Sequence, residues 1–299
     1  MKTKLHFFGT SYTEGGGFEF HSNKKLESIY GDLGEELTKF NFSFPGQLLK
    51  LIDKNKFEVY NHAKSGFGND RLFREFYKVL DNKNFNVRNN IFFFEFSWLG
   101  REDYFVNKLN DYVICNSDYD VNENFMFDEN NITVDYDYST DEQYKIYKQI
   151  SKTFRNFFKI TKNKSSETQT MFGKIMTFLS LLEYLNIRYY FTESPLHLIQ
   201  LEEKRNYKIY HEFFRLIKKE INFSNDYNLK ISSYQFINSQ KLTITDETEG
   251  LIENSHYGYI GNKLIAKYIY NRLIKDGIFG GHKKEIDLSH RKISDLKYL

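Results

Sequence analysis

Serine, histidine and a carboxylate, set far apart in the chain, are the residues here with the chemistry of acyl transfer. A serine hydroxyl is a poor nucleophile until a base takes its proton and donors await the oxyanion. Ser11 follows the apolar run Leu5-His6-Phe7-Phe8 and sits in Gly9-Thr10-Ser11-Tyr12-Thr13-Glu14-Gly15. A tight glycine turn at the end of a strand can expose such a hydroxyl where open α/β sheets bind ligands. It can equally be one of the Gly/Ser/Thr turns that follow strands in many proteins. A general base and the acid to orient it stand near the C-terminus, in Glu253-Asn254-Ser255-His256-Tyr257-Gly258.

Two further turns carry polar groups. After the second apolar run comes Asn61-His62-Ala63-Lys64-Ser65-Gly66-Phe67-Gly68-Asn69-Asp70. There the Gly66 N–H can donate to an oxyanion, while Asn69 or Asp70 can cap the next helix. After the third comes Ser97-Trp98-Leu99-Gly100-Arg101-Glu102-Asp103, either site residues or an ordinary solvated turn.

The elements that must hold these groups alternate. Lys4–Phe8 predicts a strand, Phe44–Ile52 a helix with Pro45 in its first turn, and Phe57–Tyr60 a second strand. Helical spacing over Asp70–Leu80 precedes Asn90–Phe96, a nearly continuous apolar run that suits a central strand covered on both faces. Helical patterns return at Glu142–Phe158 and Thr168–Leu185. A fourth strand is expected at Arg188–Thr192, a charged helix after Pro195, a strand at Lys230–Ile237 and a last helix at Tyr259–Lys275. Strands separated by helices point to βαβ units on a parallel sheet. Residues 107–140, rich in Asp, Asn and Tyr, break the rhythm and read as an insertion, either a substrate lid or a surface excursion. The expected organisation is one domain over residues 1–279 and a polar tail over 280–299.

Composition narrows the partners. The 299 residues carry 42 Lys and Arg against 40 Asp and Glu, intermixed, which leaves no footprint for nucleic acid. A lone cysteine, Cys115, excludes an internal disulfide framework and a cysteine-rich zinc site. No apolar run approaches the length of a membrane span or a signal-peptide core, so a soluble, cytoplasmic protein is expected. The 30 Phe and 23 Tyr read first as coding bias filling a core, and second as a carbohydrate-binding surface.

Together the four segments resemble the blocks of the SGNH/GDSL hydrolases. The first block, Gly-Asp-Ser-x-Thr-x-Gly, is similar to Gly9–Gly15 with Thr10 in place of Asp. The second-block glycine maps to Gly66. The last, Asp-x-x-His, is similar to Glu253–His256, with Gly261 beyond. The resemblance implies a three-layer α/β/α sandwich on a mostly parallel, flavodoxin-like sheet. It implies a triad of Ser11, His256 and Glu253, with Ser11 and Gly66 N–H groups as the oxyanion hole and no metal or cofactor. The substrate class implied is a small acyl ester, such as an acetylated glycan. The third block, Gly-x-Asn-Asp, is met by Gly100-Arg101-Glu102-Asp103, so Glu102 stands where an oxyanion-binding Asn is expected. Loss of one such donor costs about 10²–10³ in rate, and Asn69 or Arg101 is the candidate replacement. Glu102 equally suits a second reading, a catalytically impaired interaction protein that keeps the fold, for instance in a viral particle. A flavodoxin-like ligand-binding domain, the third, leaves the Glu253/His256 pairing unexplained.

Overall fold

The computed structural model describes residues 2–16, 39–66, 68–83, 85–97, 101–107, 111–116, 118–119, 125–126, 132–134, 145–146, 149–150, 152–154, 157, 164–193 and 256–279. The expected helix after Pro195, the strand at Lys230–Ile237, Glu253 and the tail from Gly280 lie outside these residues.

A strand covered on both faces reads as a nearly continuous apolar run, and Asn90–Phe96 (β3) is buried throughout its length. It pairs in parallel with Thr3–Phe8 (β1) on one side and Arg188–Glu193 (β9) on the other. Phe57–Asn61 (β2) adds in parallel to the far edge of β1, giving the order β2-β1-β3-β9. Side chains alternate between the two faces, so each face has its own core. Leu5, Phe7, Ile91 and Phe93 share a core with Lys39–Phe42 (α2), Phe44–Leu51 (α3) and Tyr259–Lys275 (α6). Phe8, Phe92, Phe94 and Phe96 meet Asn69–Leu80 (α4) and Lys164–Tyr184 (α5). The molecule is thus an α/β sandwich whose central parallel sheet is covered on both faces.

Much of the aromatic surplus goes into these cores. Phe92, Phe94 and Phe96 run as a ladder along β3, and Phe76 and Phe178 meet Phe94 edge-on, at 5.5 and 5.0 Å between centroids. Edge-to-face contact suits the ring quadrupole and adds to simple burial. At the β1–β2 edge two imidazoles enter the stack: His6 lies 5.0 Å from Tyr60, and His62 4.6 Å from Phe8.

The turn expected at Arg101–Asp103 is instead strand. Arg101–Val106 (β4) pairs antiparallel with Asp111–Asn116 (β5), which pairs with Ile132–Val134 (β8). Between them Asp118–Tyr119 (β6) pairs with Phe125–Met126 (β7). The second sheet therefore begins before residue 107. Its charged, partly exposed β4 has only Tyr104-Phe105-Val106 as an apolar run and takes its conformation from the hairpin it forms with β5. It is fastened to the first unit by Arg74, whose Nη2 lies 2.7 Å from the buried Asp103 carboxylate and whose guanidinium stacks 3.6 Å over Tyr112.

Candidate functional site

Ser11 opens the short helix Ser11–Glu14 (α1) at the C-terminal end of β1. The turn closes at once: Gly15 takes a left-handed conformation, φ 90, and Gly15 and Gly16 both donate to the Ser11 carbonyl, at 3.0 and 2.6 Å. The Gly16 site is crowded. A Cβ built there would lie 2.8 Å from Ser11 Cβ and 3.2 Å from His256 Cδ2. Those two side chains therefore face one point from opposite ends of the chain, separated by no more than the sum of these lengths. Only glycine leaves them room.

His256 arrives from the loop ahead of α6. Its ring packs 4.8 Å from that of Tyr12, which Tyr257 also contacts at 5.1 Å. Asn262, in the first turn of α6, donates to the carbonyls of Tyr257 and Gly258 at 2.9 and 3.2 Å and so steadies the loop that carries His256.

The end of β2 is tied to α1 by side chains. Asn61 Nδ2 donates to the Thr13 carbonyl at 3.0 Å. Glu14 Oε2 accepts from the Ser65 N–H and the Ser65 hydroxyl, each at 2.5 Å, and pairs with Lys39 Nζ at 3.0 Å. Gly66 follows directly, with φ 82, the left-handed conformation that favours glycine. The Gly66 loop is thus hung from the helix that begins with Ser11.

Beneath α1 lies Glu95, the one charged residue of β3, only 4% exposed. Its carboxylate accepts from the hydroxyls of Thr10, at 3.0 Å, and Thr13, with help from their backbone N–H groups. Burial pushes the carboxyl up to about 7, against the pull of those hydrogen bonds.

The other expected site residues sit elsewhere. Asn69 is 0% exposed and is neither an N-cap nor turned to the Ser11 turn: Gly68 caps α4. The Asn69 amide donates to the Ser97 carbonyl at 3.1 Å and accepts from the Ser97 N–H at 2.7 Å, closing the end of β3. Asp70, the other expected cap, pairs with Lys174 at 3.0 Å. The backbone and Cβ of Arg101 pack against Gly68. Glu102 accepts from the Tyr104 hydroxyl one turn of the pleat along β4. Sequence reasoning missed Glu95, although a lone carboxylate in an apolar strand is itself a signal, since a buried acid needs partners. It also missed the Glu14–Ser65 tie, for which spacing offers no sign.

Among the described residues no group of three or more His, Cys, Asp or Glu could hold a metal ion, and no helix is long and apolar enough to cross a membrane.

No protein-family model matches the chain, and no curated protein matches it. Similar solved structures include a member of the lipolytic G-D-S-L family from Veillonella parvula DSM 2008, at 10% identity and TM-score 0.36, covering 89% of this chain and 96% of that one. The acetyl xylan esterase AlAXEase is similar at 11% identity and TM-score 0.39, over 90% and 99%. An acetyl xylan esterase from Geobacillus stearothermophilus is similar at 14% identity and TM-score 0.37, over 94% and 97%.

Proposed function

We propose that this protein is a serine hydrolase of esterase type, a divergent SGNH/GDSL hydrolase that cleaves small acyl esters through Ser11. The observation that carries the reading is the meeting of Ser11 and His256 across the Gly16 backbone. His256 takes the Ser11 proton as the hydroxyl attacks the ester carbonyl, and the N–H groups of Ser11 and Gly66 receive the oxyanion. The tetrahedral intermediate collapses to an acyl-enzyme as His256 protonates the departing alcohol. Water, deprotonated by the same imidazole, then releases the acid and restores Ser11. Glu253, three residues ahead of His256, is the carboxylate assigned to orient the ring. The substrate class that follows from the resemblance of the Ser11 and His256 blocks is an O-acetyl group on a polysaccharide.

A second reading, a fold-keeping interaction protein with impaired chemistry, draws on the same third block. Glu102 cannot donate when ionised, and the Asn69 amide is committed to Ser97. Turnover of p-nitrophenyl acetate and labelling by a fluorophosphonate separate the two. The parent should turn over and label at Ser11, and Ser11→Ala should lower kcat by at least about 10³ with labelling lost. A parent that neither turns over nor labels would refute the esterase reading and leave the interaction protein.

A further inference from the structure

Glu95 has no part in the triad, yet it lies buried against the Ser11 turn and accepts from Thr10 and Thr13 on either side of it. A carboxylate buried to 4% exposure in a strand of Phe and Ile is costly to keep unless donors surround it. Here the donors come from one place. Thr10 stands immediately before Ser11 and Thr13 two residues after it, and both hydroxyls converge on the two oxygens of Glu95, joined by their N–H groups. The backbone makes room for this. A Cβ at Gly9 would lie 2.8 Å from both the Cβ and Oε2 of Glu95, so the strand ends in glycine where the carboxylate must pass. Thr10, at the position of an N-cap, makes no capping bond with its side chain and spends the hydroxyl on Glu95.

We propose that Glu95 is a positioning residue for Ser11, its carboxylate gripping Thr10 and Thr13 from beneath so that the hydroxyl and N–H of Ser11 are held in reacting geometry. The proposal rests on Ser11 being the nucleophile. A carboxylate with both oxygens free can accept from all these donors at once. A neutral carboxyl must donate from one oxygen and releases part of the grip. Because burial raises this carboxyl to about 7, the grip tightens as pH rises through neutrality. The shift comes chiefly from burial, opposed by the hydroxyl and N–H bonds of Thr10 and Thr13. Glu14 on the same helix is turned to Ser65 and Lys39, and His256 lies against Tyr12.

The test compares the parent with Glu95→Gln and Thr13→Val, with kinetics per folded molecule and the Ser11 amide followed by NMR against pH. Glu95→Gln should lower kcat for p-nitrophenyl acetate about tenfold or more while KM changes less than about twofold, since geometry at the reacting atom is lost rather than binding. Its kcat profile should lose one ionisation near 7 and keep that of the base. Thr13→Val, which removes a bond favouring the carboxylate, should shift the same ionisation upward. The Ser11 amide should titrate near 7 in the parent and stay flat in Glu95→Gln, whether or not the protein is active. An unchanged kcat in an active Glu95→Gln, or a Ser11 amide indifferent to Glu95, would overturn the proposal. A Ser11 amide that follows Glu95 in a protein unreactive to fluorophosphonate would keep the clamp and reject the esterase.

Discussion

Glu95 and the glycine above it show how one buried acid shapes its neighbours. A group whose folded pKa is raised binds its proton more tightly in the folded state than in the unfolded chain. At pH below the ordinary 4.5 both states are protonated and Glu95 has no effect. As pH climbs from there to about 7 the unfolded chain releases the proton first, and the fold is destabilised, by roughly 3 kcal/mol once above it. In urea melts the stability of the parent relative to Glu95→Gln should therefore fall across that window. Parallel slopes in the two proteins would remove the case for a titrating Glu95. Gly9→Ala brings a methyl against Glu95 and Thr13 and should cost about 1–3 kcal/mol, read as a lower urea midpoint. Neither effect can be read from residue types alone. Phe-Phe-Phe-Glu-Phe looks like an apolar run with one exception, and what the exception faces depends on a turn 82 or more residues away.

At the scale of elements, the runs with strong periodicity came through from sequence to structure. The β3 and α6 segments have the expected limits, and α3, α4 and α5 differ by a few residues at their ends. Periodicity is a local property, and these segments bury a continuous face. The junctions between elements are another matter. Asn69 suits an N-cap by type, yet it bridges the start of α4 to the end of β3 through the Ser97 backbone. Asn69→Ala should leave both Ser97 groups buried and unsatisfied, at a cost of about 1–3 kcal/mol. Asn69→Asp, which accepts but does not donate when ionised, should lose stability too. Thermal melts check both, and an unchanged midpoint in Asn69→Ala would show that the bridge is dispensable.

The whole molecule carries a further titrating site where β1 meets the end of β2, the buried His6 against the half-buried His62. Asn90 Nδ2 donates to the Asn86 carbonyl at 2.6 Å, so its Oδ1 faces His6 and accepts from His6 Nε2–H at 2.8 Å. His6 Nδ1 is then the acceptor for His62 Nε2–H, 3.0 Å away, and both rings are neutral. Burial lowers both, with His6 adding to the effect on His62, which falls to about 4. These groups bind fewer protons folded than unfolded, so their contribution to stability is full above 6.5 and is lost as pH falls to about 4. This trend opposes that of Glu95, and the parent's stability should be nearly level where the two windows overlap. His62→Gln, whose amide can still donate to His6, should remove part of the acid-side loss and expose the Glu95 slope. Chemical denaturation at a series of pH values reads both limbs, and an acid limb unaltered by His62→Gln would point to other groups.

By itself the sequence determined the alternation of strands and helices, the central place of β3, and the two segments from which Ser11 and His256 come. Those properties follow from local periodicity and from residue types that only certain chemistry needs. Tertiary structure alone decided that the two segments meet across Gly16, that Glu14 holds the Ser65 loop, that Glu95 lies beneath the Ser11 turn, and that Arg101–Asp103 is strand rather than turn. The first three depend on partners distant in the chain, and no local pattern records which distant group will be brought into contact when the sheet closes; Arg101–Asp103 is drawn into strand by its hairpin with β5.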